Sequence, residues 1–101
     1  MGDLSEEIRE LSDRVQRTRH QFLKAELLTC FTALEMAQFE LSIGNTAVAQ
    51  REIAAVEKGV SVIHRFLPGL QQDQRQEVET TLADLNAILE SVKADLDRHS
   101  R

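Results

Sequence analysis

Tryptophan and tyrosine are absent from this chain and phenylalanine occurs only four times. Almost no platform exists on which bases or sugars could stack. Cysteine occurs once, at Cys30, which excludes an internal disulfide and is expected of a reducing compartment, the cytoplasm. Proline also occurs once and glycine four times, so the chain has few places to turn. No apolar run approaches the roughly 20 residues that span a bilayer, and no membrane partner is expected. The stretch from Met1 to Glu6 carries neither the basic nor the apolar segment of a secretory leader, and Glu6 stands where a myristoylation signal wants Ser or Thr. A net charge of −5 argues against a general nucleic-acid binder, whose affinity comes mostly from neutralising phosphates.

Chemistry is missing in the same way. There is no glycine-rich phosphate loop and no nucleophile beside a base. Of the histidines His20, His64 and His99, none follows a glutamate at the i,i+3 spacing of a di-iron bundle, and no His-Glu-x-x-His zinc helix exists. No enzyme, cofactor or metal is expected.

What is present favours helix. Ala, Leu, Glu, Gln and Arg dominate, and 101 residues at 42% apolar and 29% charged predict one globular domain, residues 1–101. Two punctuation points divide it. Gly44 suits the left-handed position past a helix end and Asn45 can cap the next helix. Leu67-Pro68-Gly69 is a second break, and Asp73 with Gln76 resembles a capping box. The reading is an all-α, antiparallel three-helix protomer with helices at about 4–43, 46–67 and 73–98.

Apolar spacing says how these helices are used. The third shows one face: Val78, Leu82, Leu85, Leu89, Val92 and Leu96. The second shows a main stripe through Ala49, Ile53, Val56, Val60, Ile63 and Leu67. A further stripe runs through Val48, Ala55, Gly59, Val62 and Phe66, with the small pair Ala55 and Gly59 serving either close packing within the chain or contact between subunits. The first helix is apolar on two roughly opposite faces. One carries Leu23, Leu27, Cys30, Phe31, Leu34, Ala37 and Leu41. The other carries Phe22, Ala25, Leu28, Ala33, Met36, Phe39 and Ile43. A helix apolar on two sides is normally buried on two sides. At about 60 Å the first helix also outruns the second, at about 33 Å. Residues 4–21 then overhang, with Leu4, Ile8, Leu11 and Val15 continuing to Phe22 as a heptad seam through Thr18. These residues, with Phe22, Leu28, Met36, Phe39 and Ile43, form the candidate interface, and a dimeric helical bundle is the expectation.

Ala33, Met36, Ala37, Gly44, Ala49 and Ile53 resemble the small and apolar positions of a tetratricopeptide-type hairpin over about a quarter of the chain. The pattern departs from that family at Glu40 and Val56, and no second copy of the 34-residue period follows. The resemblance implies a tightly packed hairpin of a protein-binding kind and transfers no site residues.

A basic stretch, Arg14, Arg17, Arg19, His20 and Lys24, lies in the first helix. Segment 1–21 holds five acids against four arginines. The pairs Glu10–Arg14 and Asp13–Arg17 predict a salt-bridged, solvated surface. The competing expectation is a collar for an acidic partner. His20 and His64 are expected near each other where the first two helices meet Pro68. Cys30, among leucines, reads as a small core residue rather than a reactive thiol. The functional expectation is a protein-interaction or scaffolding protein that self-associates through its first two helices, as a homodimer. A module that binds another protein's helix and a regulator that contacts nucleic acid through the basic stretch are the alternatives.

Overall fold

A computed structural model describes residues 3–99. Three helices run in sequence: α1 (Leu4–Ser42), α2 (Thr46–Phe66) and α3 (Gln72–His99), with a 3-10 turn at Leu67–Gly69 between the last two. No strand occurs among the described residues.

Each boundary has a local cause. Asp3 accepts from the Ser5 N–H and starts α1. At its other end Gly44 adopts φ +80°. The Gly44 N–H reaches Leu41 O (3.1 Å) and the Asn45 N–H reaches Glu40 O (2.8 Å), the paired closure of a Schellman motif. Asn45 then accepts from the Val48 N–H and opens α2. Pro68 enforces the second break as expected, and Leu70 turns extended. The capping box does not form at Asp73, however. The helix begins at Gln72, the Arg75 N–H bonds Gln71 O, and Asp73 sits inside the first turn. An acid there still opposes the positive end of the helix dipole.

The core is a strip rather than a ball. From α1 it takes Leu23, Leu27, Cys30, Leu34, Ala37 and Leu41, which meet the main stripes of α2 and α3. Leu67 and Leu70 close its end. Leu70, a turn residue outside every periodic stripe, is buried because the turn folds under α1. The second stripe of α2 is partly consumed within the chain: Gly59 is buried, Val48 and Val62 are half-buried, and Phe66 is exposed. Two neighbours therefore suffice for most of α2. They do not suffice for α1.

The molecule measures 68 × 19 × 16 Å, with a radius of gyration of 17.8 Å against about 13 Å for a compact chain of this length. The elongation comes from α1. Every residue from Asp3 to Val15 is exposed, and contact begins where Gln16 Nε2 and Arg19 Nη1 both donate to Gly69 O at 2.8 Å. The free overhang is thus shorter than residues 4–21, because the Pro68-Gly69 turn reaches back and fastens its base.

Candidate interaction surface

The proposed interface residues share one property: all are exposed. Leu4, Ile8, Leu11, Val15, Phe22, Leu28, Met36, Phe39 and Ile43 expose between 43% and 69% of their surface. Among the described residues, Phe66 and Ile88 are the other exposed large apolar ones. Monomers seldom leave so many large apolar side chains of one helix exposed.

All of the nine but Leu28, which is exposed beside Thr29, fall on a single line. Starting from Leu4, steps of four and three lead through Ile8, Leu11, Val15, Thr18, Phe22, Ala25, Thr29, Thr32, Met36, Phe39 and Ile43, and each of the twelve is exposed. At 3.6 residues per turn this line divides into an overhanging seam and a separate second face. At 3.5 the line never breaks. Its centre is thin in bulk, and the missed signal was the run of Ala25, Thr29 and Thr32 at the heptad positions. A 3.5-residue line drifts by about 20° per heptad around a straight helix. It passes the end of α2 at Phe22, whose ring meets Phe66, and ends at Ile43, the exposed residue that follows α1. The three threonines on it turn their hydroxyls onto their own helix, Thr18 to Arg14 O, Thr29 to Ala25 O and Thr32 to Leu28 O, each at 3.0 Å. Covering the line would strand none of these donors.

Where the line passes the end of α2 the surface is concave. Val15, Thr18, Phe22 and Phe66 line an open apolar notch of about 510 Å³, with Arg14 and Arg19 beside it. Phe22 and Phe66 meet edge to face, ring centroids 5.7 Å apart, a favourable aromatic geometry.

The basic stretch does not gather into one patch. Arg19 is held at Gly69 O, His20 Nε2 lies 3.2 Å and Lys24 Nζ 3.8 Å from Glu77 of α3, and Arg17 is exposed. Arg14 and Arg19 flank the apolar line on opposite sides. Neither Glu10–Arg14 nor Asp13–Arg17 closes as an ion pair among the described residues. On a fully solvated helix such pairs gain only a few tenths of a kcal/mol, too little to order two long side chains. His20 turns to Glu77, not to His64, which is exposed.

No group of three or more metal-ligating side chains exists among the described residues, and no described helix is long and apolar enough to cross a membrane. Cys30 is buried, its Sγ 3.9 Å from Val56 O. Burial first, and then the Glu26 carboxylate, push its thiol above the ordinary value, away from the thiolate that reactivity needs. Compared with family models, curated proteins and solved structures, the chain matches none.

Proposed function

We propose that this is a non-enzymatic protein-interaction or scaffolding protein that acts by self-association through α1, with Phe66 of α2 at the rim of the contact. One observation carries the reading: eight of the exposed large apolar side chains, Leu4, Ile8, Leu11, Val15, Phe22, Met36, Phe39 and Ile43, lie on one heptad line that the chain's own helices leave uncovered. Burying a large apolar side chain is worth roughly 2 kcal/mol. Even partial cover of this line offsets the entropy of holding two molecules together. The spacing suits a helix as the covering element, and two copies of one chain supply matching helices at once.

Sedimentation across micromolar concentrations tests it. The wild-type protein is expected to sediment as a dimer, and Met36→Glu with Phe39→Glu as a folded monomer or an insoluble chain. A wild-type monomer throughout that range refutes self-association and leaves the line to a helix of another protein.

A further inference from the structure

Resting on the self-association proposed above, we infer its geometry: the second copy lies antiparallel along the whole of α1 in a single register. In that register Leu4 stands beside Ile43 of the second copy, Ile8 beside Phe39, and Phe22 beside Ala25.

The two halves of the line match in length and differ in support. Its twelve positions divide into six from Leu4 to Phe22 and six from Ala25 to Ile43. The first half belongs mainly to the overhang, which lacks neighbours. The second half lies on the body, where α2 and α3 cover the opposite side of the helix but not this one. Antiparallel overlap lays each overhang on the other copy's body, so that at both ends the body of α1 is packed on one side by its own α2 and α3 and on the other by the second copy. Pairing overhang with overhang alone would leave Met36, Phe39 and Ile43 in water.

Charges beside the line select the direction. The flanking positions of the first half carry Arg14 and Arg19 against Glu7 alone. Those of the second half carry Glu26, Glu35 and Glu40 and no cation. In the antiparallel register Arg14 lies on the same flank as Glu35 of the second copy, and Arg19 on the same flank as its Glu26. Each pair is offset by two residues, roughly 3 Å along the axis. A parallel pair, in which each g position meets the e position of the next heptad, sets Arg14 against Arg19 and Glu35 against Glu40, like against like. None of Arg14, Arg19, Glu26 and Glu35 has an ion-pair partner among the described residues. Arg19 spends one guanidinium nitrogen on Gly69 O, which keeps its head beside the line.

Bulk agrees near the centre. The notch around Phe22 and Phe66 lies level with Ala25, Thr29 and Thr32 of the second copy, where the line is thinnest. Two phenylalanines meet small side chains there instead of each other.

Cysteine cross-linking in a Cys30→Ala background tests the register. Ile8→Cys with Phe39→Cys in one chain is expected to give a covalent dimer on mild oxidation, while each single variant stays uncross-linked. Efficient dimers from Ile8→Cys alone overturn the register, because only a parallel pair or a short overhang overlap brings that residue to its own copy. A charge exchange read by sedimentation supplies the second arm. Arg14→Glu and Glu35→Arg should each weaken dimerisation roughly tenfold, and the double exchange should restore it. Failure of the double exchange to restore affinity also overturns the register. A wild-type protein that never dimerises removes the self-association itself, whereas a dimer with the wrong cross-links removes only this geometry.

Discussion

Cys30 of α1 packs directly against Gly59 of α2. A Cβ on Gly59 would stand 2.6 Å from Cys30 Sγ, closer than packed atoms tolerate. Gly59 therefore serves packing within the chain, while Ala55, its partner in the small-residue pair, is exposed. The thiol has a consequence that can be measured. Its value is raised in the folded chain, whereas an unfolded cysteine titrates near about 8.5. Below that pH both states hold the proton and the contribution to stability is complete. Above it the unfolded chain releases the proton first, so stability falls as pH rises toward the folded value. The urea midpoint of the wild type, at fixed protein concentration, should decline between pH 8 and pH 10. Cys30→Ala should start lower, from its small cavity, and decline less. With no tyrosine in the chain, few other groups titrate in this window. An equal decline in both proteins would contradict the assignment.

At the scale of the element, the α1–α2 corner depends on one backbone conformation. Gly44 holds φ +80° with nothing near a potential Cβ, so the cost of a side chain there is conformational and not steric crowding by neighbours. Gly44→Ala should lose about 1–2 kcal/mol in urea unfolding at fixed concentration, with the far-UV spectrum unchanged. Gly69 is different in kind. A Cβ there collides with the Arg19 guanidinium, so a substitution displaces Arg19 and leaves the tie at the base of the overhang to Gln16. The sequence marked both glycines as breaks, through their neighbours Asn45 and Pro68. It held no sign that Gly69 O would receive Gln16 and Arg19 from a helix some fifty residues earlier. Local turn chemistry is written in adjacent residues, but a contact across that separation depends on how the helices stack.

For the whole molecule, the rod shape makes association visible in backbone dynamics. A helical segment of about twelve residues without tertiary contact is marginal in water. Amides of residues 8–15 should therefore exchange rapidly in dilute protein and become protected as concentration rises through the dimerisation range. Those of Val56, Ile63 and Leu85, deep in the core, should stay protected throughout. Hydrogen exchange at two concentrations checks this, and overhang protection that ignores concentration would count against a second copy as the cover. The sequence by itself determined the three helices, their stops and the leucine-rich strip that joins them. Those follow from propensity, capping and periodicity, which act between residues a few positions apart. Only the tertiary structure decided how much of each spare apolar face was left over. Gly59 is buried in the bundle and Val48 and Val62 are half-covered, while the line from Leu4 to Ile43 stays exposed, because two neighbouring helices can cover one broad sector of α1 and no more.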